Sequence, residues 1–340
     1  MKLPLKVQLI SNGQSEGRGI GVYEQNLIKA LENKNQVTFV KSNPDLIHYA
    51  FFDLFKPTLK IDPQIPTIVT IHDLTPLVMA NRYPKGLRGI LNLFRQWLTL
   101  SKSSAIITDS ECSKKDIQKY FWIPENKIFV TPLATNDLYK TKVTDRQKEQ
   151  IKKKYNIPDH FILTVAASPN PNKNLPSLAE VTERIGIPLV IVGRGMNQKF
   201  TMPVHPELID LVRLGVYQHL IRLDNVPNEE LLVFYKLASV YAQASLYEGF
   251  GIPLLEAMTA ECPVVSSRSS SLPEVYGSET ITFNPKSLKS MEKAFKKFFK
   301  LTASQKEEYI KKNSERSKDF SWSKTADATI SVYKNLYEKF

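Results

Sequence analysis

A chain of 340 residues exceeds what one ordinary hydrophobic core organises and fits two domains of Rossmann size. Its 42% hydrophobic and 24% charged residues exclude a disordered chain, and no run reaches the roughly eighteen apolar residues of a membrane span. Two cysteines, Cys112 and Cys262, exclude a Cys-based zinc site and argue against a structural disulfide. The net charge of +12 is concentrated early: residues 1–154 hold 24 Lys/Arg against 14 Asp/Glu, and residues 155–340 hold 22 against 20. That asymmetry points to an anionic partner, such as a membrane surface, a lipid-linked phosphate or nucleic acid, or simply to a lysine-rich surface.

The start, Met1 to Ile10, has too short an apolar stretch and no cleavage site for a signal peptide, so it reads as a first strand of a cytoplasmic protein. A helix is expected from about Val22 to Glu32, then strands at Val37–Val40, Leu46–Ala50 and Thr67–Ile71, the rhythm of a parallel sheet covered by helices. Residues 87–104 set Leu91, Phe94, Trp97 and Leu98 among Arg88, Arg95 and Lys102. This reads as a helix covering its own domain with a solvated outer face; the alternative is a basic helix lying on a membrane. Strands follow at Ala105–Thr108 and Ile128–Thr131, then a charged helix at Arg146–Lys154 near a domain boundary. A second series of strands is expected at Phe161–Ala166, Leu189–Val192, Leu220–Leu223, Val240–Ala242 and Val264–Ser266, and a last helix at about Ser323 to Lys339.

Four segments carry candidate chemistry. Gly17-Arg18-Gly19-Ile20-Gly21 follows a strand and opens a helix, so its backbone can approach a phosphate; the third Gly of a dinucleotide fingerprint is missing, which argues against a nicotinamide enzyme. His72-Asp73 ends a strand at the edge where parallel sheets bind ligands, and the other histidines complete no metal site. In the second half, Arg194 follows a strand and is either a phosphate contact or a turn arginine. Finally, Glu248 and Glu256 bracket a turn built on Gly249 and Gly251, with Pro253 at a helix start whose amides favour phosphate and Glu256 in the first helical turn, able to accept both hydroxyls of a ribose. At the end of that helix Glu261 stands where a Gly is common, so a non-Gly residue is expected in a left-handed conformation.

Tyr247-Glu248-Gly249-Phe250-Gly251-Ile252-Pro253-Leu254-Leu255-Glu256-Ala257-Met258 resembles the Glu, seven residues, Glu signature of the family 4 retaining glycosyltransferases. The resemblance extends to Gly19 through Tyr23, Thr70 through Leu77, Thr108 through Ile117, Ile162 through Leu175, and Pro263 through Val275, nearly the whole chain. It implies an α/β protein of the GT-B fold, two Rossmann-like domains facing across a cleft: 1–150 for the acceptor, 151–319 for the nucleotide-sugar donor, and a 320–340 helix crossing back to the first. The implied activity is metal-independent, retaining transfer of a sugar, mannose first, from a nucleotide-diphosphate donor such as GDP-mannose to a hydroxyl of a glycan or lipid-linked saccharide. No cofactor is implied. His72, Glu248 and Lys173 are the implied catalytic residues, with Gly19, Gly21, Asp73, Arg194, Phe250, Gly251, Ile252, Pro253, Leu254 and Glu256 on the donor. Asn172 and Ala167 replace arginines common in the family, which leaves less positive charge for a diphosphate. Two alternatives stand beside this reading: a GT-B sugar-nucleotide epimerase, and a basic nucleic-acid- or membrane-binding protein without catalysis. No recognition helix or RNA-binding motif supports nucleic acid. The expected location is the cytoplasm, with peripheral contact to the inner face of the cell membrane left open.

Overall fold

The computed structural model describes residues 4–11, 20–83, 86–167, 169–196, 209–210 and 220–339. Gly17, Arg18 and Gly19 lie outside these residues. The chain forms two compact units, Met1–Ala134 with Phe320–Phe340, and Thr135–Asp319.

The first unit holds β1 (Leu5–Ile10), β2 (Val37–Phe39), β3 (Leu46–Tyr49), β4 (Thr67–Thr70), β5 (Ala105–Thr108) and β6 (Ile128–Val130) in one sheet of order β2-β1-β3-β4-β5-β6. Each pairing is parallel. Every residue of β3, β4 and β5 is buried, which is why they read as unbroken apolar runs rather than alternating strands. The terminal helix Trp322–Tyr337 packs on the helix Ile20–Glu32. Lys34 Nζ donates to Asp327 at 2.7 Å and to Ser323 at 2.8 Å, and Thr325 Oγ1 donates to the Pro132 carbonyl at 2.6 Å. Inside, His48 Nδ1 and Nε2 each lie 2.7 Å from a hydroxyl, Tyr333 and Thr70, so the imidazole links β3, β4 and the terminal helix.

The second unit holds β7 (Ile162–Ala166), β8 (Leu189–Gly193), β9 (Leu220–Asp224), β10 (Val240–Gln243), β11 (Val264–Ser267) and β12 (Ile281–Phe283), again all parallel, in the order β12-β11-β10-β7-β8-β9. The edge strand β12 is not among the strands expected from the sequence. The break between units falls at Ala134/Thr135 rather than at residue 150 because the helix Asp145–Tyr155 belongs to the second unit. It packs on the helix Asn228–Leu237, where Glu230 accepts from Lys154 Nζ at 2.7 Å and from the Tyr155 hydroxyl at 2.5 Å. Glu261 does adopt the left-handed conformation, φ 55, after the helix Ile252–Thr259.

One expectation is overturned. The helix Gly86–Leu100 does not turn its apolar stripe onto the sheet: Leu91, Phe94 and Leu98 are exposed, while Gln96 and Leu100 are buried. Trp97 is half-buried and packs toward the core, its indole N–H donating to the Phe121 carbonyl at 2.9 Å. No described helix is long and apolar enough to cross a membrane.

Candidate functional site

In the second sheet the chain runs outward from β7 through β8 to β9, then returns to β10 beside β7 and continues the other way. The loops leaving β7 and β10 therefore diverge at a switch point, the place where open parallel sheets leave a ligand crevice at their carboxyl edge. Both loops carry polar stitching. Asn172 accepts from the Leu246 amide at 2.7 Å and donates Nδ2–H to the Tyr247 carbonyl at 3.0 Å. Asn174, held at φ 56, donates to the carbonyls of Ala244 and Pro285 at 3.2 and 2.9 Å.

This stitching sets Lys173 against Glu248, with Nζ 2.7 Å from Oε1 and 3.0 Å from Oε2. Both side chains are largely buried, 14% and 11% exposed. A buried carboxylate needs compensation by opposite charge and hydrogen bonds. Glu248 Oε1 also accepts from Gln243 Nε2 at 2.9 Å and Ser245 Oγ at 2.5 Å, whereas among the described residues Oε2 accepts from Lys173 alone. The loop backbone is pinned as well: the Glu248 amide donates to Ser270 Oγ at 2.8 Å, and Ser271 Oγ lies 2.9 Å from the carbonyls of Glu248 and Phe250. Gln243, Ser245, Ser270 and Ser271 were not singled out from the sequence. The available signal was polar residues ending the buried strands β10 and β11.

Gly251 has φ 115, and a Cβ there would meet Leu272 Cδ2 at 2.7 Å, so only glycine fits this corner. The helix Ile252–Thr259 begins at once, with Pro253 in its second position and no N–H to give. The amides of Leu254 and Leu255 return to the Gly251 carbonyl at 3.1 and 3.2 Å, which leaves Ile252 as the remaining first-turn amide. The expected row of phosphate-facing amides is thus shorter than the sequence suggests, and Leu254 is not part of it. Glu256 lies in the second turn rather than the first and is half-buried. Its Oε2 accepts from the Tyr235 hydroxyl at 2.9 Å, which also lies 3.2 Å from the Pro253 carbonyl. Burial first, then the Glu256 carboxylate, hold the Tyr235 phenol well above its ordinary pKa, so it stays a donor. Tyr235 is another residue that sequence reasoning missed. Arg194 is exposed just beyond β8, its amide 3.3 Å from the Ala167 carbonyl, and the glycine before it is obligatory because a Cβ would sit 1.9 Å from the Ala166 oxygen.

In the first unit, His72 follows β4 and Asp109 follows β5, and His72 Nδ1 lies 2.8 Å from Asp109 Oδ2. Tyr23 packs edge-on against the imidazole with ring centroids 4.6 Å apart. His72 Nε2 and Asp109 Oδ1 are buried without a hydrogen-bond partner among the described residues. Burial opposes a charged His72, but the Asp109 carboxylate, its hydrogen bond, Asp73 and the nearby Ala50 backbone together outweigh it and raise the imidazole. Burial raises Asp109 despite His72. The pair therefore holds its shared proton more tightly than the free groups would. Asp73 Oδ1 accepts from the Thr75 amide at 2.7 Å and so shapes the next turn. Ser110 is a helix N-cap, accepting from the Ser113 amide at 3.1 Å. Gly21 is the second residue of the helix Ile20–Glu32, and Gly19 lies outside the described residues.

The arrangement matches known proteins in both units. A family model described as glycosyl transferases group 1 covers residues 147–317, and one described as glycosyltransferase family 4 covers residues 23–137. The chain is 26% identical over 332 residues to the serotype-specific mannosyltransferase WbdA of Escherichia coli, covering 91% of this chain and 39% of that protein. It therefore spans about two fifths of that relative's length. It is 28% identical over 278 residues to the O-antigen chain mannosyltransferase B of Escherichia coli, covering 79% of this chain and 70% of that protein. Among solved structures, Anabaena Alr3699/HepE in complex with UDP and glucose superposes with a TM-score of 0.73 at 13% identity, covering 97% of this chain and all of that one. Sucrose-phosphate synthase from Thermosynechococcus elongatus gives 0.72 at 17% identity over 99% of this chain and all of that one. The fold is GT-B, and with group 1 sequence features spanning the second unit and family 4 features the first, the chain belongs to the glycosyl transferases group 1 family.

Proposed function

We propose that this glycosyltransferase is a metal-independent, retaining mannosyltransferase that takes its sugar from a nucleotide-diphosphate donor and delivers it to a hydroxyl of a glycan or lipid-linked saccharide. The observation that carries the donor site is the Lys173–Glu248 pair at the switch point of the second sheet. Lys173 Nζ lies against both Glu248 oxygens and, with three donors, keeps capacity for a phosphate, as Glu248 Oε2 does for a sugar hydroxyl. A preorganised point cation is suited to a diphosphate leaving group, since it costs no reorganisation as negative charge develops. UDP and glucose in the HepE complex support a nucleotide-sugar donor, and the mannosyltransferase relatives support mannose.

In this reading the bond from the sugar C1 to the phosphate oxygen breaks as a bond from the acceptor oxygen forms on the same face. The acceptor proton passes to the departing phosphate oxygen. Lys173 and the Ile252 amide stabilise the leaving charge, with Arg194 contributing to the diphosphate and Gly21 assigned to it on the family resemblance alone. Glu256, aimed by Tyr235, accepts the ribose hydroxyls. Glu248 and the Phe250–Gly251 backbone position the sugar, Pro253 sets the corner, and His72 and Asp73 are assigned to the sugar on the family resemblance. The epimerase alternative is not favoured, because the models matching both units are of glycosyl transferases.

A thermal-shift screen of GDP-, UDP-, ADP- and TDP-sugars without metal tests the donor site, since a ligand bound only by the folded state raises Tm. A selective shift with GDP-mannose, lost in Glu256→Ala, and a product of unchanged anomeric configuration by NMR are expected. No shift with any donor, or an inverted product, overturns the reading.

A further inference from the structure

The helix Gly86–Leu100 is apolar on two sides: Leu93, Trp97 and Leu100 pack on the core of the first unit, and a second apolar stripe faces outward. Toward its own unit it presents Gln96, whose Nε2 donates to the Asp53 carbonyl at 2.6 Å, and Asn92, whose Nδ2 donates to the Phe55 carbonyl at 2.9 Å. Those amides satisfy main-chain carbonyls of a loop that forms no strand, so polar side chains are needed on the inner face. The outer face carries Leu87, Ile90, Leu91, Phe94 and Leu98, at i, i+3, i+4, i+7 and i+11, one continuous helical stripe. Their exposures are 89, 55, 51, 54 and 44%. Trp122, 77% exposed, extends the stripe: its ring meets Trp97 edge-on at 6.1 Å, and Trp97 lies 5.6 Å from Phe94. Scattered exposed hydrophobics need no explanation, but a contiguous aromatic and aliphatic face does.

Charge identifies what covers it. Arg88, Arg95 and Lys102 are exposed and spaced i, i+7 and i+14, a row along one flank of the stripe. Residues 74–108 contain five basic residues and no Asp or Glu. A second copy seated on this face would bring two such rows together with no carboxylate on either helix to offset them. An apolar stripe with a basic flank and an indole at its border suits an anionic bilayer surface, where phosphates meet the cations and the acyl boundary takes the apolar side chains.

We infer that the outer face of the 86–100 helix, with Trp122, docks flat on an anionic lipid surface. The inference stands on the first unit alone and holds whether or not the donor assignment does.

The test uses the full chain and vesicles of phosphatidylcholine, with or without an equal part of phosphatidylglycerol. Co-sedimentation with the phosphatidylglycerol vesicles only, weakening as salt rises, is expected. Leu91→Gln with Phe94→Gln, and separately Arg88→Glu with Arg95→Glu, should each lower partitioning by about tenfold or more without moving Tm, since all four side chains are exposed. Tryptophan emission should shift to the blue on the same vesicles, and Trp122→Phe should remove most of that shift. Failure to bind phosphatidylglycerol vesicles overturns the inference, as does binding that survives both double variants. A dimer in sedimentation velocity that the Leu91/Phe94 variant dissociates also overturns it, by assigning the face to a second copy.

Discussion

The carboxyl edges of the two sheets each set a basic side chain against a buried carboxylate, and they satisfy it in opposite ways. Glu248 is saturated on one oxygen by Lys173, Gln243 and Ser245, in a loop whose backbone is pinned by Ser270 and Ser271. The His72–Asp109 pair leaves a buried atom on each partner without a hydrogen bond among the described residues. An oxygen held by three donors keeps one geometry, as a fixed electrostatic element should; a buried polar atom without a partner carries a desolvation cost that a bound polar group can relieve. Similar ion pairs at the carboxyl edges of the two sheets are thus suited to different tasks.

The largest effect is expected at Lys173. Lys173→Ala should lower kcat by roughly a hundredfold or more through the lost leaving-group cation. It should also cost roughly 3 kcal/mol of stability, because Glu248 stays buried without its partner. Steady-state rates and urea melts read both; a variant with near-normal kcat rules out Lys173 as the stabiliser of the leaving group. Glu256→Ala should weaken donor binding by about tenfold or more by calorimetry. Tyr235→Phe, which keeps the carboxylate but frees its orientation, should weaken binding less; equal losses in the two would mean that the carboxylate binds donor only when the Tyr235 hydroxyl orients it. Chelation should leave the rate unchanged in the same assay.

Gly251→Ala forces a Cβ into Leu272 at φ 115 and should cost roughly 1–3 kcal/mol, with donor affinity falling alongside. Unchanged stability would show that the corner relaxes. The histidines sharpen the contrast by pH. His72 is raised in the folded state, so its contribution is complete below the unfolded value of about 6.5 and is lost as pH rises through the folded pKa; raised Asp109 has the same sign. His48 is the reverse: burial, then His72, lower it to about 3, so its contribution is present above the unfolded value of about 6.5 and is lost as pH falls from there to about 3. Urea melts between about pH 5 and 8 should show His48→Gln flattening the acid side and His72→Gln flattening the alkaline side. A curve that either variant leaves unchanged rejects that assignment. The smallest effect is expected at Glu261→Gly, a gain of about 0.5–1 kcal/mol from relief of φ 55, the exposed contact to Lys236 contributing little.

Much was legible in the chain by itself. The buried strands of both sheets appear as apolar runs because a parallel sheet is covered on both faces, and Glu261 betrayed its left-handed cap by standing where a helix must end. The corner at Gly251 followed from a glycine before a proline at a helix start. These are local consequences of backbone sterics and burial, readable from neighbours in sequence. Only the tertiary structure decided the partners. Lys173 meets Glu248 across 75 positions, and His72 meets Asp109 across 37, because crossovers bring distant loops to one sheet edge. Tyr235 reaches Glu256 from another helix, and the amides of Leu254 and Leu255 are spent on Gly251, which no periodicity reports. The 86–100 helix shows the division most plainly: its sequence sets an apolar stripe and a basic flank, but the inward side is the one where Leu93, Trp97 and Leu100 meet the core and Asn92 and Gln96 meet the carbonyls of Phe55 and Asp53, some forty positions away.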